Sequence, residues 1–499
     1  QYRASSNQAA RKKDETGERS RKRKRTVVAP PARVDRWLVT AAQDETEISL
    51  PFWNNMQAYA KHIGAEIKVA GFTYNKSLFE DHASRTAVFA EAVQPYMTHE
   101  DEYLGPLLFA AKMNILPTAV RPLSGLETYS RGAWAIFPHA KRQLVSVPAL
   151  ADKHPAMVMT SGTCTVPNYI EKKAGLKAEF HHTIGCTIVE VDDMGRVFCR
   201  QLDAGRDGSI QDLDVMVRNG EVFENQTVEQ ISWGDIHREK LDPVVAMTAW
   251  GLDIESGVVT DAENSMFHKL RPRHQAFHDL LDFQARNHHR KGDHHFMFQM
   301  LRDGTDRVED GLKACAAFLR ATSADWCKSV VVASNHNDAL PRWLREADPR
   351  EDPANLRIWC HLNDKLYSAI EEGNTEFDVV QYAMSRYDER GLADIAFVPR
   401  NGSYVVCQEH GGIETALHGD QGPNGARGTA TSMIKVATRM NVGHAHSAAI
   451  LDGVYVAGLC GLMDQGYNSG PSGWTHTQIV TYPNSKRTLV TFIDGKYRA

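Results

Sequence analysis

An α/β fold is the expectation for this chain, and two observations carry it. Residues 34–71 read as strand, helix, strand: Arg36–Ala42 is a short apolar run, residues 49–63 space their apolar side chains at helical intervals, and Ala65–Gly71 returns as a second strand. From residue 226 onward, strand, loop and helix alternate repeatedly, the order that builds a sheet flanked by helices.

In chain order, residues 1–33 come first. They hold eleven Lys/Arg against three acids, a net +8 that leaves −13 for the remainder of a chain of net −5. The run Arg21-Lys22-Arg23-Lys24-Arg25 should stay solvated and extended, as a flexible tail or as a tether to the phosphates of a nucleic acid. Ala29-Pro30-Pro31 marks a linker. Residues 34–225 are expected to form an α/β accessory domain. Its strand-like runs fall at 36–42, 65–71, 115–121, 133–137, 143–148, 156–160 and 185–201, and Arg218-Asn219-Gly220-Glu221 is the turn near its end. No Gly-x-Gly-x-x-Gly follows the first strand, so no dinucleotide site is inferred. Residues 226–499 are the second domain. Thr227–Trp233 and Ser329–Ala333 read as strands, Val308–Ala321 as a helix and 338–390 as mostly helical; strands return at Ser403–Gln408, Val454–Leu459, Thr477–Tyr482 and Thr488–Ile493.

Composition bounds the class. Apolar residues at 42% and charged residues at 24% are ordinary for a soluble globular protein and exclude a disordered chain. No run of 18 apolar residues exists, so no membrane span is expected. The eight cysteines form no Cys-x-x-Cys pair and read as free buried thiols of a reducing cytoplasm, either bacterial or of a phage-infected host cell. The 22 histidines gather after residue 180 and point to metal chemistry. His181-His182, at a strand start, reads as a packed or hydrogen-bonded pair.

Five segments after residue 230 place metal-capable side chains in or just after an apolar run. They are Gly234-Asp235-Ile236-His237, His278-Asp279-Leu280-Leu281-Asp282, Ser334-Asn335-His336-Asn337-Asp338, His418-Gly419-Asp420 and Gly443-His444-Ala445-His446. In an α/β fold, sites lie beyond the carboxyl ends of the strands, so five such loops can converge. Carboxylates, an amide and imidazoles make a mixed oxygen and nitrogen shell, suited to borderline divalent ions.

In this order the segments resemble the calcineurin-like metallophosphoesterase family. Its pattern runs Asp-x-His, Gly-Asp-x-x-Asp, Gly-Asn-His-Asp/Glu, a lone His, and Gly-His-x-His. The resemblance covers roughly 230–460 and implies a four-layer α/β/β/α sandwich holding two divalent ions, Mn2+ first, with Zn2+, Fe2+ or Mg2+ as alternatives. It implies that Asp235, His237, Asp279 and His446 hold one ion, and that Asp279, Asn335, His418 and His444 hold the other. Asp279 is the expected bridge and Asp282 its fallback. His336 would be the catalytic general acid, beside a hydroxide bridging the ions that attacks phosphorus in line. Three departures stand out. His278 replaces a glycine; Ser334 replaces another, with the acid of that motif one residue late at Asp338; and His418-Gly419-Asp420 replaces the His-Gly-His of many nucleases.

The substrate is expected to be DNA. The resemblance is nearest to SbcD-type DNA exonucleases and to early DNA-degrading metallophosphoesterases of tailed bacteriophages, and it also implies a homo-oligomer. Arg286–His295 places cations beside the second motif, with His288 and His289 as expected substrate contacts. Arg427, in the Gly-rich stretch 419–428, is positioned to pair with a phosphate. The alternatives are a phosphomonoesterase or nucleotide phosphodiesterase acting on small molecules, and a DNA-binding or assembly protein with a regulatory metal site.

Overall fold

Lys328–Val332 is buried at every residue after Lys328, a run that only the middle of a sheet covered on both faces can hold. The computed structural model, which describes residues 34–74, 87–150, 153–287, 292–436 and 438–499, places it there. It lies in a six-stranded sheet ordered Ala396–Val398, Lys328–Val332, His274–Phe277, Gln230–Ser232, Thr477–Thr481, Arg487–Thr491. The first four strands are parallel and the last two antiparallel. The register pairs Ser232 with Ala276, Phe277 with Val331, and Val332 with Val398, so the parallel strands end at one level. The polar residues inside are partnered: Gln275 donates to the Thr322 carbonyl (2.8 Å) and Ser329 Oγ (3.0 Å) and accepts from the Trp233 indole (3.0 Å).

The helix Val308–Ala321 buries Val308, Leu312, Cys315, Ala316 and Leu319, a stripe at i, i+4, i+7, i+8 and i+11. Glu309 and Asp310 in its first turn and Arg320 in its last suit the helix dipole. The stretch 338–390 holds three helices, Ala339–Glu346, Leu356–Glu371 and Val379–Ser385. With Val308–Ala321 they share one apolar core with Ile231, Phe277 and Val331 of the sheet.

A ten-stranded sheet is built from both parts of the chain. Its order is Val405–Val406, Ile413–Glu414, Met440–Val442, Val454–Val456, Ala449–Leu451, Gln143–Val147, Ala156–Thr160, Ala135–Phe137, Leu107–Phe109, Glu102–Leu104. The junction is the antiparallel pair Ile450 with Leu144. Residues 34–225 therefore do not close off as an accessory domain at the expected turn: their strands complete a sheet begun after residue 400, and Val34–Ala499 is one compact unit. Residues 34–203 also contribute a five-stranded mixed sheet, Val197–Asp203, Gly185–Val191, Asp35–Gln43, Glu66–Phe72, Met97–Thr98, covered by the helix Leu50–Ile63.

Several expectations need correction. Residues 115–121 form turns, not a strand. Pro117 cannot donate to a ladder, and the Leu116 and Val120 carbonyls instead accept from His139 Nε2 (3.1 Å) and Lys141 Nζ (2.7 Å). The run 185–201 is two paired strands. All eight cysteines are free, but Cys360 is exposed and Cys407 half-buried. His182 packs as a hydrogen-bonded residue, between the Tyr169 hydroxyl (2.7 Å) and the Thr165 carbonyl (2.9 Å). Among the described residues no helix is long and apolar enough to cross a membrane. The tail 1–33 lies outside the described residues.

Candidate metal centre

Gln230–Ser232, His274–Phe277 and Lys328–Val332 each hand a motif to the loop at the carboxyl end of the six-stranded sheet, and Ile413–Glu414 and Met440–Val442 of the ten-stranded sheet lead into the other two. After Gln230–Ser232 the chain is gripped from both sides. The Asp235 amide donates to Gly458 O (3.1 Å) and its carbonyl accepts from Cys460 (2.8 Å); the Ile236 and His237 amides donate to His278 O (2.9 Å) and Asp279 O (2.8 Å). Two glycines make this approach possible. A Cβ at Gly234 would lie 2.7 Å from the Gly458 backbone, and one at Gly443 would lie 2.2 Å from Asp235 Oδ1. The bare Gly443 lets the Asp235 carboxylate accept the His444 amide at 2.8 Å. His237, Asp279, His444 and His446 all sit at positive φ (43°, 43°, 70° and 55°), a costly backbone for such residues.

These loops bring the donors together. Ligand atoms of Asp235, His237, Asp279 and His446 lie within 4.8 Å of one another, all buried. His446 Nε2 is 2.9 Å from Asp235 Oδ2 and 3.3 Å from His237 Nε2. Asp279 reaches both ways: its Oδ2 is 3.8 Å from His237 Nε2 and 3.1 Å from His418 Nε2, and the latter nitrogen is 3.1 Å from Asn335 Oδ1. The His444 ring lies 5.2 Å from that of His418. Asp282 stands behind this group. Its Oδ1 is 2.9 Å from His237 Nδ1 and 3.1 Å from His336 Nδ1, and its Oδ2 is 3.5 Å from Lys240 Nζ. A carboxylate on the far nitrogen of a histidine fixes the ring and leaves Nε2 for a metal. The geometry thus sets Asp279 between the two donor groups and Asp282 as the anchor of His237 and His336.

The donor set fits a divalent cation. Asp235, Asp279 and Asp282 are at most 2% exposed and crowd together, an arrangement that is costly without positive charge among them. Burial alone would raise the Asp235 carboxyl, yet His418 and His446 hold it down to about 2. Asp279 and Asp282 are likewise held well below the usual range against burial, Asp279 by His418 and His336 and Asp282 by His237 and His336. Burial opposes charge on His336, but Asp279 and Asp282 outweigh it and lift the ring to about 10. His278 is pushed down to about 4 by burial and then by His418, and neither of its ring nitrogens has a hydrogen-bond partner among the described residues.

The chain is 36% identical over 480 residues to Protein A1 of Escherichia phage T5, a match that covers 93% of this chain and 83% of that protein. The chain belongs to the A1 family. No family model matches it, and no solved structure does.

In this A1-family chain the centre opens into a cavity of about 770 Å³, lined by Asp279, Asn335, His336, His444 and His446 among others. Arg427 also lines it, and its guanidinium makes no ion pair among the described residues. His288 and His289 lie outside the described residues. Arg400 accounts for two of the sequence departures at once, donating to Asp338 (2.7 Å) and to Asp420 (2.7 Å) and so tying the loop after His336 to the loop after His418. Asp338 is therefore occupied elsewhere, and His336 takes Asp282 as its partner. Sequence reading missed Lys240, Gln465, Tyr467 and Trp474, which line the same cavity of the A1-family chain. The one signal for Lys240 is its place three residues after His237; the other three carry none.

Proposed function

We propose that the chain is a calcineurin-like phosphoesterase with two divalent ions, Mn2+ first among the candidates, that hydrolyses DNA in a phage-infected host cell as a homo-oligomer. The observation that carries this reading is the position of Asp279, one buried carboxylate set between His237 Nε2 and His418 Nε2 and grouped with Asp235, His237 and His446. A four-layer sandwich is part of the proposal. What supports it is the helical core on one face of the six-stranded sheet, and on the other face Ile479 and Leu489 packed with Ile450 and Tyr455 of the ten-stranded sheet. Beyond it, Val454 and Val456, which alternate with Tyr455, and Met440 and Val442 of the neighbouring strand pack with Met433 of the short helix Ala430–Met433.

Asp235, His237, Asp279 and His446 would hold one ion; Asp279, Asn335, His418 and His444 would hold the second. When bound, such ions activate water and neutralise phosphate oxygens. The chain's own residues do the rest. His336, anchored at Nδ1 by Asp282, would serve through Nε2 as the proton donor to the leaving oxygen. Arg427 makes no ion pair among the described residues and would pair with a phosphate.

A DNA substrate is supported by the Arg427 cation lining the cavity and by the +8 charge of residues 1–33. A second reading, a phosphatase or phosphodiesterase of small molecules, is favoured by the cavity volume, which is that of a small-ligand site. One experiment separates them: linear, circular and single-stranded DNA with Mn2+, beside bis-p-nitrophenyl phosphate. Hydrolysis of DNA supports the first reading, and turnover of the small diester with none on any DNA overturns it.

A further inference from the structure

Two aromatic rings continue the metal centre into the cavity. Trp474 stands edge-on to His446, with ring centres 4.4 Å apart, and Tyr467 stands against Trp474 at 6.0 Å. Both line the same cavity as Arg427. Tyr467 keeps 51% of its surface exposed, a large aromatic surface without a cover beside a site built for phosphate. The loop that carries the pair is braced. Within it, the Gln465 amide donates to Asn468 Oδ1 (2.9 Å), and Asn468 Nδ2 donates to the Met463 carbonyl (2.9 Å). At its far end Ser472 exchanges backbone hydrogen bonds with Ala149 (2.8 and 2.9 Å), and Ser146 Oγ donates to the Gly473 carbonyl. The segment after the strand Gln143–Val147 thus helps hold the wall of a site whose other residues all lie after 230. Held in this way, the rings lose little freedom when a flat partner stacks on them.

We infer that Tyr467, seated on Trp474, is a stacking platform for the base that adjoins the phosphate under attack. A nucleotide carries base and phosphate one sugar apart, and the steps from His446 to Trp474 to Tyr467 are of that scale. Arg427 supplies the charge for a neighbouring phosphate, so one cavity holds the phosphate, the backbone charge and the base of one strand. The inference rests on the phosphoesterase reading and deepens it: the site would select strands that carry bases over bare phosphodiesters.

The test compares an oligothymidylate with an oligomer of abasic tetrahydrofuran residues of the same length. Both are offered with Mn2+ to the wild-type protein, Tyr467→Leu and Tyr467→Phe. Trp474 is left alone because its ring backs His446. The wild type should show a KM about 5- to 100-fold lower for the oligothymidylate, the factor that base–aromatic stacking supplies. Tyr467→Leu should lose that preference with little change in kcat, and Tyr467→Phe should keep it. A 2-aminopurine placed in the strand should be quenched on binding to the wild type and less so by Tyr467→Leu, with EDTA present to hold cleavage back. Hydrolysis of both oligomers with the same ratio in wild type and Tyr467→Leu overturns this inference alone. No hydrolysis of either oligomer overturns the phosphoesterase reading together with it.

Discussion

Replacing Gly443 by alanine tests the metal centre without removing a donor atom. The new Cβ would lie 2.2 Å from Asp235 Oδ1 and 3.0 Å from His278 Cβ. Carbon and oxygen at ordinary contact stand ~3.5 Å apart, so one of the two must move by on the order of 1 Å. Neither is free to. Asp235 is fully buried and holds the His444 amide and His446 Nε2; His278 is fully buried under the same loops. Overpacking of this kind costs about 1–3 kcal/mol. A carboxylate misplaced by that distance should weaken ion binding by roughly 10- to 100-fold. Isothermal titration with Mn2+ reads the affinity, and thermal melting with and without the ion reads the stability. Gly443→Ala should bind Mn2+ more weakly and gain less melting temperature from it than the wild type. Wild-type affinity together with a wild-type melting temperature would refute the placement of Asp235 against the Gly443 backbone, and with it the centre as described.

Asp282→Asn should keep most of the bound metal, since Asp282 lies behind the ligands, and should lower kcat by about 10- to 100-fold through loss of the charge-assisted bonds that orient His237 and His336; metal content and single-turnover rates check this. Arg427→Ala should raise KM for DNA about tenfold with metal affinity unchanged, as expected of a phosphate contact rather than a ligand, and an unchanged KM would remove it from that role. His139 gives a pH prediction away from the metals. Burial holds its pKa down to about 4, against about 6.5 in the unfolded chain, with Nδ1 accepting from the Lys141 amide and Nε2 facing the Leu116 carbonyl. The folded state resists the proton, so this contribution is whole above pH ~6.5, shrinks as pH falls through that value, and has cost on the order of 3 kcal/mol by pH ~4. Urea melts of wild type and His139→Gln from pH 7 to 4 should converge as the pH falls; parallel curves would count against the buried neutral ring.

The parts of the fold that local chemistry dictates are legible in the sequence. Val308–Ala321 is read to its end residues because its apolar stripe is set by helix geometry alone, and the strands 35–43, 66–72 and 328–332 follow from short apolar runs with turn residues around them. The run 115–121 misleads because it is apolar yet holds Pro117, and its carbonyls serve His139 and Lys141 rather than a ladder. The ten-stranded sheet is invisible for another reason: no local pattern announces that Leu144 pairs with Ile450, some three hundred residues on.

The centre shows the same division. The residue types of the candidate centre recur in a fixed order along the chain, and the strand ends that carry them meet: Asp235, His237, Asp279 and Asn335 follow strands of the six-stranded sheet, and His418, His444 and His446 follow strands of the ten-stranded sheet. Residues whose role depends on a single spatial contact leave no such trace. Arg400 is an unremarkable cation in a loop until it is seen to hold both Asp338 and Asp420. Once it does, Asp338 is no longer available to His336, and Asp282, which in the sequence competes with Asp279 for the bridging role, becomes the partner that His336 needs. Asp338 and Asp420, the two acids that depart from the pattern the sequence resembles, are thereby joined through one guanidinium that pairs with both.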